Sequence, residues 1–162
     1  MGKMSRNKGK RSELILVHFI RDFYGYEVRR GDCFRGEADV IGLPGIWIEV
    51  KAHEKVDIGT WYWQAWETTT KRDGGIPVVF HKINRSPWYV TLAVKDYEIM
   101  GGESAPMDER VRFNLMNEMK DHDRIRYYRQ GLDLITVKAE EFMDVYGGYI
   151  HDREMGNHAV CE

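Results

Sequence analysis

Residues 37–51 have the sequence Glu-Ala-Asp-Val-Ile-Gly-Leu-Pro-Gly-Ile-Trp-Ile-Glu-Val-Lys, and they predict a β-hairpin. Residues 38–42 and 46–51 are short, mainly apolar runs of strand length. The Leu-Pro-Gly between them is typical of a turn, because proline and glycine supply the backbone angles that a tight reversal requires.

Three charged residues, Asp39, Glu49 and Lys51, interrupt this apolar hairpin. Side chains alternate between the two faces of a strand, so Glu49 and Lys51 share one face. Antiparallel pairing of the two strands would bring Asp39 close to Glu49. Two close carboxylates repel each other unless a cation lies between them, and Mg²⁺ prefers oxygen ligands of this kind. The hairpin is therefore a candidate magnesium site.

A lysine beside such a site has two plausible uses. It can polarise or deprotonate a water molecule, or it can stabilise negative charge that develops on a phosphate. The alternative is that Glu49 and Lys51 form an ordinary surface pair on a half-exposed strand and bind nothing. The hairpin alone leaves both interpretations open.

The composition suits one domain with a substantial core, since the chain has 162 residues of which 43% are hydrophobic. It has no run of eighteen apolar residues, and no apolar segment typical of a signal peptide follows the amino terminus. The two cysteines are far apart, which favours reduced thiols over a disulfide framework. We therefore expect a cytoplasmic protein without a membrane partner.

The charge distribution is uneven, although the net charge is only −2. Residues 1–35 contain nine Lys or Arg and four acids, a net charge of +5, and the remainder carries −7. Such an asymmetry favours a basic face that contacts phosphates. Arg29, Arg30 and Arg35 come just before the Asp39 strand and are candidate phosphate contacts, with a solvated edge strand as the alternative.

Hydrophobic periodicity predicts a first helix over residues 8–24, with a buried stripe of Leu16, Phe19, Ile20 and Phe23. Glu13 continues this stripe, so it is either a structural acid or part of a site. The other predicted elements are strands at 26–30, 76–82, 88–94 and 134–138, helices at 57–71, 95–100, 107–121 and 139–146, a connector at 123–131, and a disordered tail from residue 147.

The helix at 57–71 is rich in aromatic residues, which pack on a sheet or a second subunit more often than they stack on bases. They are Trp61, Tyr62, Trp63 and Trp66. Gln64 lies among them, where it can point back to the hairpin.

The order of these elements and their charged residues resembles the PD-(D/E)xK nuclease superfamily. More narrowly, residues 6–95 resemble the archaeal and phage Holliday junction resolvases. The motifs that carry this resemblance are Asn7-Lys8-Gly9 with Glu13, Ala38-Asp39-Val40-Ile41-Gly42, Ile48-Glu49-Val50-Lys51, Gln64 and Gly74-Gly75-Ile76-Pro77-Val78. Two positions depart from the pattern: Ala38 stands where the superfamily name has proline, and Asn7 where cellular relatives often have arginine.

The resemblance implies an α/β fold with a restriction-endonuclease-like core over residues 1–100, in which helices flank a central mixed five-stranded sheet. A C-terminal α+β extension over residues 101–162, of unknown role, would pack on this core and end in a disordered tail. The implied activity is metal-dependent cleavage of four-way DNA junctions by paired nicks, in recombination or in phage genome processing.

The resemblance also implies roles for individual residues. Asp39, Glu49 and the Val50 carbonyl would hold Mg²⁺ or Mn²⁺, and Glu13 would complete the site or hold a second ion. Lys51 would orient or activate the attacking water, with Gln64 as a lesser contributor. The residues expected to contact DNA phosphates are Lys8, Lys10, Arg11, Arg29, Arg30 and Arg35.

Because a four-way junction is two-fold symmetric, we expect a homodimer, with the tryptophan-rich helix as a candidate interface. Two alternatives remain open. One is another PD-(D/E)xK DNA endonuclease of the repair, flap or restriction type, and the other is a non-catalytic module that binds DNA by its structure.

Overall fold

Seven strands form one mixed sheet in the computed structural model, which describes residues 2–72, 75–109 and 115–159. They are β1 (Arg29–Arg30), β2 (Val40–Ile41), β3 (Ile46–Ala52), β4 (Ile76–Lys82), β5 (Tyr89–Ala93), β6 (Arg124–Arg129) and β7 (Leu132–Lys138). Their order across the sheet is β1-β2-β3-β4-β5-β7-β6. Strands β3 and β4 pair in parallel, and the other neighbours pair antiparallel.

The helices are α1 (Lys3–Tyr24), α2 (Ile58–Arg72), α3 (Val94–Ile99), α4 (Leu115–Glu118) and α5 (Ala139–Ala159), with a 3₁₀ helix at Cys33–Arg35. Apolar side chains of α1, α3 and α5 share one hydrophobic core with one face of the sheet. Those of α2 and α4 form a second core with the other face. The sheet is therefore the middle of three layers. No helix in the described ranges is long and apolar enough to cross a membrane.

The predicted mixed α/β sheet flanked by helices is confirmed, but the prediction of five strands is wrong. The two additional strands come from the C-terminal part, because β7 pairs with β5 and β6 pairs with β7. Strand β6 lies where we expected a connector. The division of the chain near residue 100 stays a prediction.

Helix α5 continues to Ala159, where the glycine-rich composition predicted a disordered tail from residue 147. Tyr149 and Ile150 still pack against the core, and this contact extends the helix beyond the predicted end. In α1, Leu16 and Ile20 are buried as predicted, whereas Phe23 is 76% exposed because it lies at the edge of the buried stripe.

The predicted helix over residues 107–121 is not continuous among the described residues. Met107 forms a bridge with Arg126, so the first part of this segment runs alongside β6 instead. Helix α4 covers only Leu115–Glu118. Residues 110–114 lie outside the described residues, as does Gly74 of the glycine-rich motif.

Candidate active site

The hairpin of β2 and β3 forms as predicted, with Val40 opposite Ile48 in antiparallel register. The backbone N–H of Asp39 donates to the carbonyl of Ile48 over 3.1 Å. The Asp39 carboxylate then accepts from the backbone N–H of Val50 through Oδ2, at 2.8 Å. These two bonds fix Asp39 across from the strand that carries Glu49.

The carboxyl groups of Asp39 and Glu49 lie close enough to interact directly. Burial and then the charge of Asp39 raise the pKa of Glu49 to about 7. A hydrogen bond from Nε1 of Trp47 to Oε1 of Glu49, 3.1 Å long, and the charge of Lys51 act in the opposite direction. Because this carboxyl group retains a proton up to about neutral pH, a cation bound between the two groups would replace that proton.

Lys51 lies on the same strand face as Glu49 and contacts one residue of α2. Its Nζ donates to Oε1 of Gln64 over 3.1 Å, so Gln64 points back to the hairpin. Two residues further along, the ring of His53 lies 5.4 Å from that of Trp61. Burial, then the charges of Lys51 and Lys8, lower the pKa of His53. Lys8, in the amino-terminal part of α1, therefore lies near enough to His53 to affect it electrostatically.

Glu13 is held by Arg30 and is not a free carboxylate. Nε of Arg30 donates to Oε2 of Glu13 over 2.8 Å, and the Glu13 side chain is only 19% exposed. Burial raises the pKa of Glu13, Arg30 opposes this increase, and the charge of Asp39 adds to it. Glu13 therefore lies within electrostatic range of Asp39, while its lone pairs are partly used.

The six residues predicted to contact phosphates fall into two groups. Arg29, Arg30 and Arg35 each pair with an acid of the chain: Arg29 with Glu37 at 3.3 Å, Arg30 with Glu13, and Arg35 with Asp32 at 3.6 Å. In contrast, Lys8, Lys10 and Arg11 lie exposed on α1, and no ion pair involves them within the described parts of the chain. Because Arg29 and Arg35 remain largely exposed, both groups can still reach a phosphate.

The donor set fits one divalent cation more readily than two. Among the described residues, no group of three His, Cys, Asp or Glu side chains is arranged to hold a metal ion. Asp39 and Glu49 offer two adjacent carboxylates, and Glu13 is occupied by Arg30. Mg²⁺ is commonly bound by one or two carboxylates and keeps several waters, so this pair, with the Val50 carbonyl, suits it.

Sequence reasoning missed one residue of the site, Trp47, which donates to Glu49, and one cation beside the hairpin, Arg72. Trp47 precedes Glu49 by two positions, so the alternation of β3 could have identified it as a neighbour. Arg72 has no such signal, since basic residues are common at helix ends. Its guanidinium lies against Gly36, where a Cβ would be 1.8 Å from Nη1. Trp47 and Arg72 both line a cavity of about 470 Å³ beside the hairpin.

No protein-family model matches the chain, and no curated protein matches it. Among solved structures, the chain is similar to Hjc, a Holliday junction resolvase from the archaeal hyperthermophile Archaeoglobus fulgidus. The two are 16% identical with a TM-score of 0.44, over 86% of this chain and 96% of that one. Both values are low, so the case for a function depends on the residues of the site.

Proposed function

We propose that this protein is a metal-dependent endodeoxyribonuclease that cleaves four-way DNA junctions by paired nicks, in recombination or phage genome processing in the cytoplasm. The observation that carries the proposal is the pairing of Asp39 with Glu49, beside Lys51. A pair of close, partly buried carboxyl groups is costly to maintain without a cation, and it is unusual as a purely structural feature.

Each residue of the site has a defined task in this proposal. Asp39 and Glu49, with the Val50 carbonyl, hold Mg²⁺ or Mn²⁺, which supplies Lewis-acid polarisation of the phosphate and activation of water. Lys51 stabilises negative charge on the phosphate and orients the attacking water, and Gln64 fixes the position of its ammonium group. Glu13 adds negative charge near Asp39.

The basic residues bind the DNA backbone in this proposal. Lys8, Lys10 and Arg11 on α1, together with Arg29, Arg30 and Arg35, contact phosphates. Phosphate contacts position the DNA but carry little sequence information, so recognition depends on the shape of the junction. Arg30 has a second task, because it also holds Glu13.

Cleavage of a labelled immobile four-way junction tests the proposal, with linear duplex and flap DNA of matched length as competitors. We expect paired nicks in the junction with Mg²⁺, none with chelator, and none with Lys51→Ala although this variant still binds. The matched control is Lys120→Ala, which alters an exposed lysine outside the hairpin and is expected to cut normally.

Two results would change the assignment. Equal cleavage of duplex or flap DNA would favour another endonuclease with the same site. Tight junction binding without cleavage in Mg²⁺ or Mn²⁺ would favour a non-catalytic DNA-binding module. The ion pair of Glu13 with Arg30 favours this second candidate, since it leaves the site with one free carboxylate fewer.

A further inference from the structure

Phe34 projects from the protein surface with 98% of its area exposed. It lies in the 3₁₀ helix at Cys33–Arg35, between β1 and the strand of the candidate site. A fully exposed aromatic ring forgoes the burial that usually stabilises such a side chain. The whole ring is therefore accessible to an external partner.

The loop around Phe34 is fixed by hydrogen bonds, so the ring is held outward by the backbone. Oδ1 of Asp32 accepts from the backbone N–H of Phe34 over 2.9 Å. Oε2 of Glu37 accepts from the backbone N–H of Asp32 over 2.7 Å, and Glu37 also pairs with Arg29. Both acids of the loop are thereby used within the loop.

The loop is attached directly to the candidate site. The backbone N–H of Gly31 donates to the carbonyl of Asp39 over 3.0 Å. Phe34 precedes Asp39 by five residues, which span at most about 17 Å when extended. A ring at this position lies within a few nucleotides of a phosphate at Asp39 and Glu49.

Three arginines and two acids lie in or beside the loop that carries the ring, which leaves it a net charge of +1. The cations are Arg29, Arg35 and Arg72, and the acids are Asp32, which pairs with Arg35 at 3.6 Å, and Glu37. Arg35 is the neighbour of Phe34 in the chain and is largely exposed, and the guanidinium of Arg72 lies against Gly36 two residues away. Arg29 is also largely exposed, although it pairs with Glu37. An exposed apolar ring among guanidinium groups matches a nucleobase flanked by phosphates better than it matches another apolar protein surface.

We propose that Phe34 stacks on a nucleobase left open at the branch point of the DNA, while the neighbouring arginines contact its phosphates. This inference rests on the proposed function and names the feature of the substrate that the site selects. Bases inside a continuous duplex have both faces covered by neighbours, whereas a base at a branch point can offer one face. Stacking of this kind tolerates any base.

Equilibrium binding in chelator tests this proposal without any contribution from cleavage. The dissociation constants are measured for an immobile four-way junction and for linear duplex of equal length. We expect Phe34→Ala to weaken junction binding at least about fivefold, the lower end of the range for loss of one stacked base, and to leave duplex binding unchanged. Phe34→Trp should retain junction binding. Phe23→Ala, which removes an exposed ring on α1, is the matched control.

The salt dependence of binding separates stacking from a general loss of contact. Phe34→Ala removes no phosphate contact, so the slope of log Kd against log salt should equal that of the wild-type protein. Arg35→Ala should reduce this slope by about one phosphate contact. A changed slope for Phe34→Ala would contradict stacking as the cause of the loss.

Photocrosslinking provides direct proof of contact. A junction with 5-iodouracil at the branch point should crosslink to Phe34, whereas one with 5-iodouracil in the middle of an arm should not. Equal junction binding by Phe34→Ala and the wild-type protein would overturn the proposal. A wild-type protein that binds junction and duplex equally well would also overturn it. So would light scattering that shows a wild-type dimer and a Phe34→Ala monomer, because a second copy of the chain would then cover the ring.

The stacking proposal and the proposed nuclease can fail separately. If the protein prefers junctions through Phe34 but does not cleave them in Mg²⁺, only the nuclease proposal is contradicted. If the protein cleaves junctions but Phe34 affects neither binding nor crosslinking, only the stacking proposal is contradicted.

Discussion

The carboxyl group of Glu49 lies between opposing influences. Burial and the charge of Asp39 favour its protonated form, whereas Trp47 and Lys51 favour the charged form. The first two dominate and raise its pKa to about 7. Metal binding must displace this proton, so the affinity for Mg²⁺ should increase with pH up to about neutrality.

Glu49→Gln is predicted to remove a pH-dependent loss of stability. The pKa of Glu49 is higher in the folded chain than its ordinary value of 4.5, so the folded state binds more protons between these values. The free energy of unfolding therefore decreases as pH rises from about 4.5 to about 7 and is level above that. Without metal, Glu49→Gln should match the wild-type protein near pH 5 and melt at a higher temperature near pH 8.

Thermal melts in chelator at these two values of pH provide the measurement. Glu67→Gln is the control, because Glu67 forms an exposed pair with Lys71 on α2. This control should change neither melting temperature appreciably. The raised pKa of Glu49 would be contradicted if the wild-type protein melted at the same temperature at pH 5 and pH 8, and if Glu49→Gln melted no higher than the wild-type protein at pH 8.

At the residue scale, local rules predicted part of the site and tertiary contacts determined the rest. The alternation of a strand is enough to place Glu49 and Lys51 on one face. The pairing of Glu13 with Arg30 spans 17 residues and depends on how α1 lies against β1. Nothing in the local sequence distinguishes that partner from the other arginines, so Arg30 was predicted only as a phosphate contact.

At the element scale, the alternation of residues in β6 is typical of a strand, although its basic composition led us to predict a connector. Ile125 and Tyr127 are buried, and arginines alternate with them, which is the period of a strand. Gln130 and Gly131 both have positive φ, of 50° and 78°, as in the tight turns that join hairpin strands. Gln at the first position is not a usual marker of such a turn, so the segment was predicted to be a connector.

The loop before β2 depends on a close backbone approach at Gly31. A Cβ at this position would lie 1.7 Å from the carbonyl oxygen of Ala38. Gly31→Ala must therefore displace the loop from the strand that holds Asp39, since backbone cannot move aside as a side chain can. We expect a loss of about 1–3 kcal/mol in unfolding free energy, as for other overpacked sites.

The same substitution should also reduce the activity of the molecules that remain folded. A displacement of about 1 Å at reacting groups can reduce the rate about a hundredfold. Chemical denaturation and junction cleavage measure the two effects. Gly9→Ala is the control, because a Cβ at Gly9 meets nothing within 4 Å and should stabilise α1 by about 0.5–1 kcal/mol. A Gly31→Ala variant with normal stability and cleavage would contradict the role of this close approach.

At the scale of the whole molecule, one sheet contains strands from both parts of the chain, the predicted core before residue 100 and the predicted extension after it. All five residues of β5 are buried, and β7 covers the edge that β5 would otherwise expose. Phe142, Met143 and Tyr146 of α5 fill the same core as Leu16 and Ile20 of α1. The resemblance covered only residues 6–95, so it contained no information about these contacts.

A chain ending at residue 100 is therefore predicted not to fold by itself. It would expose a buried strand as an edge and leave one core without α5, and exposed apolar edges promote aggregation. Far-ultraviolet circular dichroism and thermal melts should show no cooperative transition. A chain ending at residue 150 is the control, since residues 151–156 are exposed. Cooperative unfolding of the 1–100 chain would instead support a separate nuclease core.

The quaternary structure stays a prediction, and α2 offers the surface on which to test it. Trp61 and Tyr62 are buried in the second core, but Trp63 and Trp66 are 37% and 41% exposed. Their rings lie edge to face with centroids 5.1 Å apart, so they form one aromatic surface. In a two-fold dimer each copy contributes the same surface, and a substitution there enters the interface twice.

Trp66→Glu should therefore convert a dimer to a monomer, because it would bring two like charges together in an apolar contact. Light scattering at micromolar concentration should give twice the mass of one chain for the wild-type protein and the mass of one chain for Trp66→Glu. Phe23→Glu, at an exposed ring on α1, should leave the dimer intact. A monomeric wild-type protein would contradict the dimer, and a dimeric Trp66→Glu variant would place the interface elsewhere.

If Trp66→Glu is a folded monomer, it should nick only one strand per binding event, since two opposed sites are needed to cut a symmetric junction twice.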